Sequence, residues 1–454
     1  MAPGALILDL PEPDLETAKY EAVRAVWNSY DDGLPVTPPP QDLDVNWKRH
    51  SGDQNISVQP NERPLVAVLG VGYVGLHLVT SFAQHYDVIA FEVSEKRLKQ
   101  IASELEQYPS VTPTTDATKL SNATHFLISV PTRLLPDKSI DTSFLRSAIS
   151  TVSVYARYNA TVIIESSVAV GMTRKLLEPL MNVRNIKAGM SPERVDPGRI
   201  EPPVEDIPKI ISGLDDIIPG SLDSISELYS KVFHSVVKVS SPEVAEMTKL
   251  YENCQRMMCI AYANEMADAC ASHGIDPYEV SNAAATKPFG YMPYTPSLGA
   301  GGWCIPINPA YLLSNSEWPL LEAATERTWA RPAAMGDKIM MDLIKNKPIK
   351  FARRQPRVLV VGAGFKRGQS VTACSPGIAL MRRLKEHWEV DVEYADPLVE
   401  QDAVPDILKF NVENEWNVET LRMFDCIMVA VKQEGIDFNV LDQLEGVRIE
   451  RFVQ

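Results

Sequence analysis

The chain has 454 residues, 23% of them charged and 45% hydrophobic, an ordinary globular composition with room for roughly three domains at about 150 residues each. It carries 44 Lys and Arg against 59 Asp and Glu, and the formal charge of −15 argues against a nucleic-acid or anionic-membrane surface. A small anionic ligand in a locally basic pocket remains compatible with that balance.

Prolines are unevenly spread: 9 of the 34 fall in the first 64 residues. The segment DDGLPVTPPPQDLD reads as a linker, and DLETAKYEAVRAVWNSY before it as one amphipathic helix. Residues 1–63 therefore form an appended Pro-rich arm. From Pro64 the texture changes. LVAVL (65–69) is a short apolar run ending in a Gly-rich turn, as in a buried parallel strand, and DVIAFEV, THFLISVP and TVIIESSV repeat the pattern between helix-forming stretches. This alternation predicts a doubly wound α/β domain over 64–238.

Ser240 to His273 reads as one long helix, with capping-box spacing at Ser240 and Glu243, Pro242 in the first turn and Gly274 at the stop. Val244, Met247, Tyr251, Cys254, Met258 and Ala261 fall three or four apart and predict a buried stripe. Residues 317–345 also look helical, so 239–345 is predicted as a helical centre. VLVVGAG, VEYAD and CIMVAV then restore the alternation, giving a second α/β lobe over 346–454. The fold class is α/β: two Rossmann-like doubly wound lobes joined by a long-helix core.

Gly70, Gly72 and Gly75 form G-x-G-x-x-G between a strand and a helix. In that setting the first Gly makes the tight turn, the second admits a pyrophosphate and the third lets the helix pack closely. Glu92 ends the next strand, 22 residues after Gly70, where an acid binds a ribose hydroxyl and repels a 2′-phosphate. The pattern points to NAD; its bland alternative is a structural glycine turn. Cys304, in SLGAGGWCIPINP, is either a nucleophile or a small residue filling a tight turn. Lys249 and Asn253 are one helical turn apart; Lys249 serves either proton transfer and carbonyl polarisation or a solvated tip over a packed stem. Glu193 and Thr132 follow strand ends, where open α/β sheets gather ligands, although Glu193 has Arg194 and Arg199 as alternative surface partners. Cys254, Cys259 and Cys270 share no face with His partners, and no metal is expected. The six Cys read as reduced thiols; residues 5–10 are too short for a signal peptide and no apolar run reaches the ~18 residues of a membrane span. A cytoplasmic location is expected. The Asn-x-Ser/Thr triplets at Asn55, Asn122 and Asn159 are then incidental.

Taken together, GVGYVGLHL, SVPTRL, IIESSVAVGMT, SPERVDPGR, AEMTKLYEN, TKPFGYMPYTP and GAGGWCIP resemble the UDP-glucose/GDP-mannose dehydrogenase family, the nucleotide-sugar 6-dehydrogenases. Within it the resemblance is closest to the branch oxidising UDP-N-acetylmannosamine or UDP-N-acetylglucosamine, and it runs from about residue 64 to 445. It implies an NAD lobe, a helical core making a homodimer, and a C-terminal lobe binding UDP. It further implies NAD contacts at Gly70, Gly72, Tyr73, Val74, Gly75, Glu92, Thr132 and Glu165. The sugar nucleotide would be met by Glu193, Arg194, Lys249, Asn253, Lys287, Phe289, Gly290, Gly301 and Lys366. Cys304 would capture an aldehyde as a thiohemiacetal and then a thioester, Lys249 and Asn253 would stabilise oxyanion charge, and Glu193 with Thr132 would handle the hydrolytic water.

The chain departs from the family at three places. Asn308 stands where an Asp is usual, which removes an anionic neighbour favouring charged Lys249; pH–rate profiles of Asn308→Asp test that effect. Trp303 replaces a His. In FKRGQSVTACSP, Lys366, Ser375 and Pro376 are kept but Ala373 and Cys374 replace Arg and Glu, with Arg367 as a new cation. Two function classes follow: an active dehydrogenase oxidising a UDP-sugar twice, or a diverged homologue with altered chemistry or a scaffold role.

Overall fold

The computed structural model describes residues 57–135, 139–199, 201–346, 354–388 and 390–453. The helix expected within the Pro-rich arm lies outside them. The chain divides into two compact units, one ending at Lys249 and the other running from Leu250 to the C-terminus.

The first unit is built on β1 (Leu65–Leu69), β2 (Asp87–Phe91), β3 (Val111–Thr114), β4 (His125–Ile128), β7 (Thr161–Ile164), β8 (Lys187–Met190), β9 (Lys209–Gly213) and β10 (Val236–Lys238), with a two-stranded ladder of β5 (Arg133–Leu134) and β6 (Ile140–Asp141) set apart. The sheet order is β10-β9-β8-β7-β4-β1-β2-β3. Every pair is parallel except β8–β9. The order reverses direction between β1 and β4, so their carboxyl ends open the crevice in which such sheets bind ligands. Successive residues of β1 enter opposite cores: Ala67 and Leu69 join Leu145, Ile149, Leu176 and Leu180, while Val66 and Val68 join Leu78, Phe82, Ile225 and Leu228. Those partners come from α3 (Ser143–Tyr155) and α4 (Met172–Arg184) on one face. On the other they come from α1 (Tyr73–Ala83) and α5 (Ser221–Tyr229); α2 (Glu95–Leu105) completes the crossover to β3. Coverage on both faces explains why the strands read as unbroken apolar runs.

The long helix α6 (Pro242–Ser272) begins in the first unit and continues into the second. Its stop at Gly274, φ +70, is the one the sequence predicts. Its start differs: the Val244 and Ala245 amides bond to Ser241 O, and the Glu243 carboxylate holds Arg174 at 2.7 Å, so Ser240 and Glu243 do not close a capping box. The buried stripe differs as well. Of the expected stripe Cys254 and Ala261 are buried and Met247 and Met258 partly so, but Val244 and Tyr251 are exposed, Tyr251 at 72%, whereas Ala245, Glu246, Lys249, Leu250, Asn253 and Met257 are buried. Apolar residues occur on every side of this helix, so spacing alone leaves the rotation undetermined, and the structure buries a face that carries Glu246, Lys249 and Asn253.

The second unit adds α7 (Pro277–Ala285), α8 (Asn308–Leu313), α9 (Pro319–Asn346), α10 (Pro376–Trp388), α11 (Val412–Glu415), α12 (Val418–Leu421) and a parallel sheet in the order β13-β12-β11-β14-β15. Its strands are β11 (Arg357–Val361), β12 (Asp391–Ala395), β13 (Leu408–Lys409), β14 (Cys426–Val429) and β15 (Arg448–Arg451). The α9 helix lies against α10 at Gly336, where an added Cβ would meet Leu380 Cδ1 at 2.8 Å. No helix among the described residues is long and apolar enough to cross a membrane.

Candidate active site

The glycine turn after β1 has the shape of a phosphate cradle. Gly70 sits at φ +88, and a Cβ on Gly75 would lie 1.8 Å from Gly70 O, so helix α1 packs hard on the turn. A Cβ on Gly72 would meet nothing within 4 Å. The middle position thus faces open space where a pyrophosphate can approach backbone amides at the start of α1. Glu92 closes the turn: its Oε2 accepts from the Val71 amide at 2.9 Å and its Oε1 from the Ser94 amide at 3.1 Å. Tyr73 and Val74 open the helix beside it, with Tyr73 41% exposed. These residues fit a dinucleotide, and an acid at this place suits an unphosphorylated ribose.

At the carboxyl ends of β4, β7 and β8 the structure gathers three more of the predicted residues. Thr132 Oγ1 donates to Ser167 O at 3.4 Å. Glu193 is buried, and its Oε1 accepts from the amides of Arg194 at 2.6 Å and Val195 at 2.7 Å, so the expected alternative of an Arg194 or Arg199 side-chain partner is not the arrangement found. The Arg194 guanidinium turns instead to Pro208 O at 2.7 Å, and Arg199 to Glu201 O at 2.8 Å. Glu165, placed by the resemblance along the cofactor path, has no exposed surface. Its carboxylate is taken by Lys209 Nζ at 2.6 Å and by the Tyr229 hydroxyl.

Sequence reasoning singles out neither Lys209 nor Tyr229 as a site residue. Lys209 opens β9, and only the antiparallel reversal between β8 and β9 brings a strand's first residue to the carboxyl edge of the sheet. A lysine opening an otherwise apolar strand, IPKIISG, was the available signal. Burial opposes the Glu193 charge, but Lys209, Lys249 and two backbone amides outweigh it and hold the group below the ordinary carboxylate range. Burial dominates at Glu165, with Glu193 adding repulsion against the pull of Lys209, and pushes it up to about 7. One buried ammonium thus serves two carboxylates of unlike affinity for protons.

In the second unit, Asn308 organises the turn that carries Cys304. Its Nδ2 donates to Cys304 O at 2.8 Å and its backbone amide to the same carbonyl at 2.9 Å. Its Oδ1 accepts from Asn253 Nδ2 at 2.9 Å, and Asn253 Oδ1 in turn accepts from Arg256 Nη2 at 2.6 Å. Asn253 and Asn308 are both buried while Cys304 is partly exposed. The amide supplies a donor and an acceptor at once; a carboxylate at 308 has no hydrogen for the Cys304 carbonyl. The glycines before the thiol are packing positions: a Cβ on Gly301 would meet Phe365 Cβ at 2.8 Å, and one on Gly302 the Phe365 ring at 2.9 Å.

Other predicted residues lie further out. Lys287 Nζ stands 5.2 Å above the ring of Phe289, which is 71% exposed, and Gly290 follows at φ +68. Lys366 is exposed. Ala373 O accepts from the Gly302 amide at 2.8 Å, and Cys374 takes φ +47. Arg367, the new cation, stands 3.7 Å from Glu434. Among the described residues no group of three or more His, Cys, Asp and Glu is placed to hold a metal ion.

Comparison with known proteins adds independent support. Residues 91–233 match the NAD binding domain, and residues 243–327 the central domain, of the UDP-glucose/GDP-mannose dehydrogenase family. The chain is 31% identical over 371 residues to a UDP-N-acetyl-D-glucosamine 6-dehydrogenase of Pseudomonas aeruginosa, covering 75% of this chain and 84% of that protein. It is 30% identical to a UDP-N-acetyl-D-mannosamine dehydrogenase of Pyrococcus horikoshii, covering 74% and 84%. The solved structure of a UDP-D-ManNAc dehydrogenase from Pyrococcus horikoshii superposes with a TM-score of 0.74 at 25% identity, over 86% of this chain and 99% of that one. A glycine turn held by Glu92, a buried carboxylate edge and a thiol on a glycine loop therefore coincide with sequence kinship over most of the chain, which belongs to the UDP-glucose/GDP-mannose dehydrogenase family and is an NAD-dependent nucleotide-sugar 6-dehydrogenase.

Proposed function

We propose that the protein oxidises the C6 primary alcohol of a UDP-hexose or UDP-N-acetylhexosamine to the carboxylate through covalent intermediates on Cys304. The observation that carries this reading is the Cys304 turn, tied through Asn308 to Asn253 on the buried face of α6 that also bears Lys249. A partly exposed thiol held by a buried amide network on a donor-bearing helix is suited to capturing a carbonyl carbon. The names of the similar proteins, UDP-N-acetyl-D-glucosamine and UDP-N-acetyl-D-mannosamine dehydrogenases, support the substrate class.

NAD, held by the Gly70–Gly75 turn and Glu92, supplies hydride acceptance. One alcohol, two NAD⁺ and one water become one carboxylate, two NADH and three protons. The Cys304 sulfur adds to the aldehyde carbon to give a thiohemiacetal, loss of the second hydride leaves a thioester, and water cleaves it to the acid and the free thiol. Lys249 and Asn253 stabilise the oxyanion. Glu193, ionised and fixed by two amides, accepts a proton from the attacking water, and Thr132 orients it. Arg194, Lys287, Phe289, Gly290, Gly301 and Lys366 line the sugar-nucleotide path, and Tyr73 and Val74 the cofactor path. Glu165, being fully buried, acts from behind these residues. Exposed Tyr251, Tyr262 and Met266 on α6 support a homodimer, and a cytoplasmic location fits its soluble cofactor.

The test is NADH counted per sugar consumed across a panel of UDP-sugars, with Cys304→Ser beside the wild type. Two NADH per sugar, lost in the variant by about 10³-fold, is the expected result; full four-electron turnover in Cys304→Ser refutes covalent capture. A second reading, a diverged homologue that stops at the aldehyde or does not turn over, is favoured by Ala373 and by the engagement of Arg367 with Glu434. It predicts one NADH or none.

A further inference from the structure

Beyond the residues just assigned, the carboxyl edge of the first sheet holds a buried cation without a role. Lys209 is 3% exposed, its Nζ lies 2.6 Å from Glu165 and 3.4 Å from Glu193, and it stands 5.5 Å over the Phe233 ring. A buried ammonium is costly unless paired, and here two carboxylates compete for it. The elements packed around it contribute few other charges: Tyr229 of α5 donates to Glu165, while Lys249 of α6 and Tyr73 of α1 interact electrostatically with Glu193.

We propose that Lys209 is a positioning residue for the hydrolytic step: its shared ammonium keeps Glu193 an ionised, fixed acceptor, and Glu165 with Tyr229 locks the ammonium in place. This rests on the reading that Glu193 takes the proton of the attacking water. The geometry divides the work. Glu193 spends one oxygen on the Arg194 and Val195 amides and keeps the other 3.4 Å from Lys209, a contact loose enough to leave a lone pair for water. Glu165, sealed from solvent, anchors the lysine more tightly and takes no part in the chemistry. The opposite proton affinities of the two carboxyls agree with this division.

The proposal predicts two variants of opposite sign. Lys209→Met removes the cation, so Glu193 binds its proton more tightly and the acidic limb of the kcat profile moves up by roughly one pH unit. Glu165→Gln leaves Lys209 to Glu193 alone, and the limb moves down. Lys209→Arg returns it towards the wild-type position. If Lys209→Met does not fold, judged by circular dichroism and NAD binding, the Glu165→Gln and Lys209→Arg profiles still decide. Without substrate, the protonated-carboxyl infrared band should titrate near neutral pH with contributions from Glu165 and Glu246, and Glu165→Gln should remove the first while Glu246→Gln removes the second. Two NADH per sugar with limbs unmoved, or both moved the same way, overturns the role of Lys209 alone. A wild-type enzyme stopping at one NADH overturns the hydrolytic reading and this proposal with it.

Discussion

The molecule contains two strand–glycine–helix turns that read alike in sequence, GVG after β1 and GAG after β11, and they are wired differently. Both lead with a left-handed glycine, Gly70 at φ +88 and Gly362 at φ +94, and both receive an acid from the end of the neighbouring strand. In the first, half-buried Glu92 takes the Val71 amide and leaves the start of α1 open, with Gly72 facing empty space. In the second, Asp396 has no exposed surface and one of its oxygens accepts from both Ala363 and Gly364 at 2.9 Å. The donors of this turn are already satisfied by the protein's own anion, and thirteen residues separate Gly362 from α10 where two separate Gly70 from α1. A turn can offer a phosphate only those amides that no carboxylate has claimed, which in the first turn leaves the Gly72 and Tyr73 end and in the second excludes both Ala363 and Gly364. The comparison leaves the first turn open to a dinucleotide, while in the second the corresponding amides are taken by Asp396.

Substitutions that interchange the two wirings test this. The largest effect is expected at Gly75, whose Cβ would come within 1.8 Å of a backbone oxygen. Gly75→Ala should cost more than about 3 kcal/mol of stability, or abolish NAD binding in whatever protein survives; chemical denaturation and calorimetric titration read both. Asp396→Ala strands two buried amide donors and should cost about 3 kcal/mol, with NAD affinity unchanged. A fall in NAD affinity there would break the distinction between the turns.

A third carboxylate extends the series. Glu246 of α6 accepts from the Gly171 amide at 2.6 Å and the Thr173 amide at 2.8 Å, at the start of α4. Burial pushes it up to about 7 despite those amides. The folded state therefore binds its proton between the unfolded value near 4.5 and about 7, so this group's contribution is full below 4.5 and is lost as pH rises through 7. Its size is on the order of 2–3 kcal/mol. Glu246→Gln should flatten that part of the stability–pH curve, measured by urea unfolding at successive pH values; an unchanged slope would place the proton elsewhere. The smallest effect falls on Gly72→Ala. Stability should be unchanged, because nothing lies within 4 Å of the new Cβ, while NAD affinity drops about 30-fold, roughly 2 kcal/mol.

Much of this was legible in the chain. Short apolar runs placed β1, β2, β4 and β7 and the second lobe's β11, β12 and β14, because strands covered on both faces are mostly apolar, Glu393 in β12 being a buried exception paired with Arg357. The long helix was legible in extent but not in rotation. Val244 and Tyr251 look like core, yet the buried face holds Glu246, Lys249 and Asn253, since apolar residues ring the helix and only its neighbours choose a side.

By itself the sequence determined the α/β class, the family and NAD as cofactor, and it singled out the glycine turn with Glu92 and the thiol of Cys304, for these depend on local spacing and on residue types that chemistry cannot exchange. Only the tertiary structure decided which glycine turn keeps its amides free. It alone brought Lys209 to Glu165 and Glu193, and it made Asn308 the clamp of the Cys304 turn. The physical reason is common to all three. Each depends on a partner 16 residues or more away in the chain, or on an amide used at both ends, and such partners become neighbours only when strands reverse, helices rotate and buried polar groups satisfy one another.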